Sequence, residues 1–411
     1  MPTVYIVDVT NRDGVQTAFL GLAKIEKTMV NFFLNQMGVF QSEFGFPTTR
    51  HETNYLNANL ELARKGFLQP IRLSGWLRAI KKDVNLAFEL VPDLQYLNLS
   101  ISTSQQMLMG KFQGKMGPKE ITAAAVDSVE TALQNGAKSV GVNAEDASRT
   151  DLEYLAEFGQ AVKEAGAERF RYCDTLGYDS PFTIYERVAY IAEKCKIPIE
   201  LHCHNDLGMV VANSVSGAKG AIDGGVDAYI NTTINGVGER AGNADLVSVL
   251  LAIQHANGLE GDSYPLDKNV NLKAAWKTCK YASYAFKVPI PITQPGVGAN
   301  AFAHASGIHA DGVIKDRKNY ELYDYEDLGR GEPELIETGR QIVMGEYSGI
   351  KGFRNVYENL EVEFKNENDA REILELARFA NVEKQKPLVA DELIFIAQYP
   401  EEAKKILTLE P

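Results

Sequence analysis

The chain has 411 residues, 45% of them apolar and 24% charged, enough to bury a sizeable core and to build more than one unit. A formal net charge of -13 argues against a surface made to grip phosphate backbones, and no apolar run approaches a membrane span. Nucleic acid and membrane are therefore not expected partners. Cys173, Cys195, Cys203 and Cys279 lack CxxC spacing, and residues 1–10 read as a strand and not as a signal sequence. The expectation is a reducing, cytoplasmic setting with no structural disulfide.

In chain order, β-rich runs fall at 4–10, 39–44, 71–75, 96–101, 139–142, 170–174, 199–204 and 228–233, each followed by a helix-compatible stretch. Eight such units within about 240 residues predict an α/β fold, a TIM (β/α)8 barrel over residues 1–260, with a doubly wound open sheet as the rival. Asp151 before Leu152 and Ser180-Pro181 read as helix starts. Pro289, Pro291 and Pro295 with Gly296 and Gly298 predict a linker or arm over 261–300. Residues 301–411 read as a smaller, mainly helical C-terminal unit, whose Glu361, Glu363, Glu367 and Glu372 form a solvated face.

In a parallel barrel the chemistry sits where strands end, so the polar clusters after each run carry the functional reading. After the first comes Asn11-Arg12-Asp13-Gly14, weak alone because it is also ordinary turn sequence. The seventh run ends His202-Cys203-His204-Asn205-Asp206. Two histidines at i, i+2 on a strand share one face, which is metal-ligand spacing, and Cys203 falls on the opposite face as packing. Two imidazoles with oxygen ligands suit Mn, Co or Zn, with Mg remaining open; Mn is the first expectation. The eighth run leads into Gly238-Glu239-Arg240-Ala241-Gly242-Asn243, where glycine lets backbone approach a ligand and Asn243 is a candidate further ligand.

Together with Glu145-Asp146-Ala147-Ser148-Arg149, Asp174-Thr175-Leu176-Gly177 and Ser306-Gly307-Ile308-His309-Ala310-Asp311, these segments resemble the family of isopropylmalate, homocitrate, citramalate and Re-citrate synthases over roughly residues 4–330. The resemblance implies condensation of acetyl-CoA, as cosubstrate, with a 2-oxo acid. It implies Asp13, His202, His204 and Asn243 at a divalent metal and Arg12 polarising the substrate carbonyl. It also implies Thr175 at the acceptor carboxylate, Glu145 beside the reacting centre, and His309 with Tyr320 in the acid–base machinery. In the family that histidine comes from the partner subunit, which implies a homodimer with swapped C-terminal units.

The acceptor is read from departures. Asn11 and Val15 in the first motif, and Phe40-Gln41-Ser42-Glu43-Phe44-Gly45-Phe46-Pro47 after it, look most like the members that use oxaloacetate. Asn98 stands where isopropylmalate synthases are expected to carry histidine, which disfavours a branched apolar acceptor. A second acceptor carboxylate needs a cation, for which Arg72 and Arg78 are candidates. Citrate formation is the first expectation and homocitrate formation from 2-oxoglutarate the second. A metal-dependent carbon–carbon lyase is the alternative of another class, less favoured because such lyases resemble only the barrel. The length left after the second unit leads to the expectation that no leucine-responsive domain follows.

Overall fold

The computed structural model describes residues 1–259, 263–334 and 338–408. Eight strands, β1 (Val4–Asp8), β2 (Gln41–Gly45), β3 (Arg72–Arg78), β4 (Tyr96–Ser102), β5 (Ser139–Glu145), β6 (Arg169–Asp174), β7 (Ile199–Cys203) and β8 (Ala228–Thr232), close into a barrel in sequence order. Every neighbouring pair is parallel, including β8 with β1, so the open doubly wound sheet is excluded. Each predicted run lands on a strand. β3 and β5 extend past the predicted ends because Arg78, Asn143 and Glu145 interrupt an apolar run without ending the ladder.

The helix starts follow their capping chemistry. Asp151 Oδ1 accepts from Tyr154 N at 2.9 Å, and Ser180 Oγ accepts from Thr183 N at 3.2 Å, opening Leu152–Glu164 and Pro181–Cys195. Within 261–300, expected to be linker, residues Ala275–Phe286 form a helix whose Cys279, Ala282 and Phe286 are buried; the proline-containing stretch beyond it is irregular. The following region is helical, with helices Gly307–Lys315, Ile350–Asn359, Glu367–Lys384, Ala390–Gln398 and Pro400–Leu407. Its far end docks on the barrel: Lys386 Nζ meets Glu26 Oε1 at 2.5 Å, and the Phe67 ring lies 4.8 Å from that of Tyr399. Glu361, Glu363, Glu367 and Glu372 are exposed, as a solvated face requires. Among the described residues no helix is long and apolar enough to cross a membrane.

Barrels of this kind are commonly filled by layers of branched apolar side chains. Here only the N-terminal end is apolar, where Tyr5, Phe40 and Tyr229 pack with Val7 and Val9, their ring centroids 4.9 to 5.4 Å apart. Above that plug lies a buried charged layer of Glu43, Arg169, Arg171 and Glu200. Arg171 bonds Glu43 and reaches Glu200 Oε1 at 2.5 Å, and Arg169 Nε lies 3.2 Å from Glu200 Oε2. Burial opposes ionisation of Glu43, but Arg171 and Arg12 draw its carboxyl down to about 2.

On the outward side of β1, Asp8 is fully buried and accepts from Thr10 N at 2.8 Å, with no cation paired to it among the described residues. Burial raises its carboxyl from 3.8 to about 7. The native chain then holds a proton that the unfolded chain has released, so this group stabilises the fold fully at low pH. That stability is lost as pH rises through about 4 to 7, by up to about 4 kcal/mol. In urea melts across that range Asp8→Asn is expected to remove this downward component, and a variant whose slope matches wild type contradicts the assignment.

Candidate active site

The loop after β1 turns sharply because the N–H groups of Arg12, Asp13 and Gly14 all donate to Val9 O, at 3.1, 2.8 and 3.1 Å. Asn11 pins the turn to the helix Lys24–Gln36 by donating to Lys27 O at 2.8 Å and Asn31 Oδ1 at 2.9 Å. The turn thus delivers Arg12 and Asp13, both buried, to the mouth of the barrel. Arg12 Nη1 donates to Asp13 Oδ1 at 2.9 Å, and its Nε donates to Glu43 Oε2 at 2.8 Å.

β7 brings His202 and His204 to the same place. Their rings are perpendicular, 5.0 Å apart, and each Nε2 lies 3.8 Å from Asp13 Oδ2. Asp13 Oδ2 is buried without a hydrogen-bond partner. Glu200 Oε1 accepts from Asn231 Nδ2 at 2.7 Å, which leaves Asn231 Oδ1 to receive His202 Nδ1 at 3.1 Å and keeps the Nε2 lone pair free. Burial, with Arg12 nearby, takes His202 well below its ordinary value, and burial also lowers His204, so both rings are neutral ligands in waiting. Burial opposes the Asp13 charge, yet Arg12, His202 and His204 outweigh it and lower the carboxyl. Cys203 faces away and is buried, and that burial raises its thiol well above the usual range.

The loop after β8 supplies Asn243, whose amide lies beside Asp13 and whose buried oxygen and nitrogen have no well-formed hydrogen bond among the described residues. A Cβ on Gly238 would fall 1.7 Å from Asn243 Oδ1, so only glycine admits this side chain; Gly242, at φ +96, lets the loop double back. Arg240 fastens the loop, its Nε donating to Asp206 Oδ1 at 2.9 Å and its Nη2 to Thr175 O. The donor set fits a divalent ion. Asp13, His202 and His204 present ligand atoms within 4.8 Å of one another, and an ion about 2.0 to 2.2 Å from each ligand can span 3.8 Å gaps.

The other expected residues fall at three levels. Glu145 ends β5 at the mouth, and Thr175 follows β6, its Oγ1 accepting from Asp146 N at 2.9 Å. Asn98 lies one layer deeper, fully buried, donating to Glu43 Oε1 at 2.7 Å. Arg78 sits at the C-terminal end of β3 but is engaged twice by Asp83, at 2.7 and 3.0 Å. Arg72 starts β3, at the opposite end of the barrel, where its guanidinium lies 4.4 Å from the Phe40 ring. His309 and Tyr320 lie in the C-terminal unit with ring centroids 4.3 Å apart, and His304 is the other ring near His309. Glu43, Arg171, Glu200 and Asn231 were not among the expected site residues; Arg171 and Glu200 carry a signal in the period-two recurrence of charge in Arg169-x-Arg171 and Glu200-x-His202-x-His204, while Glu43 and Asn231 carry none of that kind.

Residues 3–281 match the HMGL-like family, and residues 297–385 match the homocitrate synthase post-HMGL domain-like family. The chain belongs to the HMGL-like family. It is 62% identical over 412 residues to the citrate (Re)-synthase of Dehalococcoides mccartyi (strain CBDB1), covering 100% of this chain and 99% of that protein. It is 35% identical over 396 residues to 2-isopropylmalate synthase 2 of Caldanaerobacter subterraneus subsp. tengcongensis, covering 96% and 94%. It is 31% identical over 394 residues to homocitrate synthase 1 of Nostoc sp., covering 96% and 97%. In fold it is similar to the HMG-CoA lyase from Brucella melitensis, with a TM-score of 0.55 at 15% identity, over 70% of this chain and 100% of that one.

If Asp13, His202 and His204 are the ligands, Asp13→Ala and His202→Ala should each weaken Mn(II) binding at least 100-fold by titration calorimetry, more than changes around a ligand cause. Cys203→Ala should leave binding unchanged. Wild-type affinity in either ligand variant would remove these residues from the centre.

Proposed function

We propose that this chain is a metal-dependent acyltransferase that condenses acetyl-CoA with oxaloacetate and water to citrate and CoA, as a citrate (Re)-synthase. The observation that carries the choice of acceptor is the 62% identity over the whole chain to a protein of that name. Homocitrate synthesis from 2-oxoglutarate is the second reading, favoured by the homocitrate synthase post-HMGL domain-like match over residues 297–385.

In this reading Asp13, His202, His204 and Asn243 hold the divalent ion, Mn(II) by preference, which supplies Lewis acidity at the acceptor carbonyl. Arg12, locked by Glu43 and Asp13, sets a fixed positive charge beside the oxygen on which negative charge develops. Thr175 binds the carboxylate next to the keto group. A base takes a proton from the acetyl methyl group, the resulting carbanion attacks C2 of oxaloacetate, and the oxygen formed there is protonated. Water then cleaves the thioester and CoA leaves. His309, paired with Tyr320, serves as the acid–base group and comes from a second copy of the chain, with Glu145 beside the reacting carbon.

The swapped dimer draws support from exposed apolar surface. On the arm around His309, Ile308, Ile314 and Leu322 are at least 72% exposed, and at the loops around the mouth Phe19, Met109 and Leu207 are at least 60% exposed. The barrel of residues 1–260 is then the catalytic unit, 261–300 the connection, and 301–411 the unit that completes the partner's site. Four buried free thiols agree with a reducing, cytoplasmic setting.

Two measurements test the reading. Free CoA released from acetyl-CoA with Mn(II) is expected to appear fastest with oxaloacetate, exceeding 2-oxoglutarate by about 10- to 200-fold, the reach of one methylene. Preference for 2-oxoglutarate would move the assignment to homocitrate synthesis, and silence with both would refute the condensation. Separately, Asp13→Ala and His309→Ala should each be inactive alone and regain activity when unfolded together and refolded as mixed dimers; continued silence of the mixture, with both variants folded, contradicts the swap.

A further inference from the structure

A cavity of about 350 Å³ opens at the mouth over β3, β4 and β5, walled by Trp76, Ile101, Phe112 and Met116 and reaching Glu145. Its roof is Lys111, Phe112 and Met116, from the segment that follows the short helix Gln105–Gly110, and Lys111 is the first residue past that helix. Lys111 Nζ donates to Glu145 Oε2 at 2.6 Å and to Ser102 Oγ at 3.1 Å, while Ser102 Oγ donates to the same Oε2. All of these donors gather on one carboxylate oxygen. Among the described residues no hydrogen bond reaches Oε1, and Glu145 lines the cavity.

The roof is bolted to the loop that follows Glu145. Ser104 caps the short helix before it by accepting from Met107 N at 3.2 Å and donates to Asp146. Thr103 N donates to Glu145 O at 3.0 Å, and the Thr103 and Thr150 hydroxyls lie 2.8 Å apart. Asp146 takes the left-handed conformation, φ 65, and Arg149 grips its carboxylate at 2.7 to 3.0 Å. Such strain in a non-glycine residue persists only where surroundings over-determine it. A half-exposed lysine–carboxylate pair adds little stability. Three ties that keep Lys111 and Glu145 in register therefore call for a reason other than stability.

We infer that Lys111 is a positioning residue: with Ser102 it holds Glu145 by Oε2 and so aims Oε1 at the reacting carbon. This rests on the role given to Glu145 in the proposed function. The guanidiniums at the mouth are already engaged, Arg12 by Glu43, Arg78 by Asp83, Arg149 by Asp146 and Arg240 by Asp206, and Lys81 pairs with Asp127, so among the described residues Lys111 is the cation that meets Glu145.

The test is a double-mutant cycle on the Mn(II)-loaded protein, run with whichever 2-oxo acid gives the fastest CoA release, so that a wrong acceptor does not count against Lys111. Lys111→Met is expected to lower kcat about 100-fold, the lower end of what a placed acid–base group contributes, with both KM values changed less than about 3-fold. Lys111→Arg should recover most of the loss. In the Glu145→Gln background Lys111→Met should cost less than about 3-fold, because its effect passes through Glu145. Losses that multiply would overturn the inference, as would a rise confined to the KM of the acceptor, which would make Lys111 a substrate-binding group. A crystal structure of Lys111→Met supplies a reading independent of turnover: Glu145 should leave its position against Ser102, and a Glu145 that stays there overturns the inference.

Discussion

Glu43 accepts from Arg12 at one carboxylate oxygen and from Asn98 and Arg171 at the other, so one buried side chain joins the mouth to the charged layer beneath it. From Arg171 the path continues to Glu200, then to Asn231 and to His202 Nδ1. The Arg12 guanidinium and the His202 imidazole at the mouth are thus oriented through one connected set of bonds. A buried pair of this kind contributes little net stability against a packed apolar core, yet removing one member leaves a bare charge at a cost of about 3–5 kcal/mol. Its value is orientation. In the proposed reaction Arg12 would present a fixed charge that need not reorganise when negative charge develops.

The same constraint explains which parts of the molecule were legible in the sequence. The eight strands were legible because their outward faces meet helices and carry Val, Ile and Leu at period two, as in Leu97-x-Leu99-x-Ile101. The ends of β3 and β5 were not, since Arg78, Asn143 and Glu145 read as loop residues when the sheet's inner face is assumed apolar. The approach of His202 and His204 to each other was legible as i, i+2 spacing on the seventh run, whereas Asp13 came only from the resemblance. Glu43 and Arg171 lie 128 residues apart, and nothing local to either says that they meet. Lys111 was hidden for a similar reason: its partner is set by how the β4 loop folds back on the β5 loop, where Ser104 and Asp146 make the contact.

The helix inside 261–300 follows from the same physics. Pro289, Pro291 and Pro295 signal irregular backbone and do end regular structure. The stretch before them carries Ala275, Cys279, Ala282 and Phe286 at three- and four-residue spacing, and that stripe packs against the barrel, with the Tyr281 ring 4.7 Å from Phe33. Proline punctuation outweighed periodicity in the reading of the segment, and burial decided otherwise.

Two regimes of burial divide the C-terminal region. Residues of Glu367–Lys384, Ala390–Gln398 and Pro400–Leu407 bury Ile373, Leu374, Ile396 and Ile406, and Lys384 is neutralised by Glu392 in the same interface. The helix Gly307–Lys315 buries none of its residues, although Ile308 and Ile314 are as apolar as those four. Fully burying such a side chain gains about 1.5–3 kcal/mol, so an arm that leaves both in water is unfavourable alone. The mouth has the matching defect: Phe19 is held out at φ 68, a left-handed conformation costly for a bulky residue, with its ring fully exposed. A second copy laying its arm across the mouth would cover both surfaces at once, and would carry His309 and Tyr320 with it. The docked helices follow the arm in the chain and tie its far end to the barrel flank, so in the proposed dimer one regime would anchor the unit and the other would reach across to the second copy.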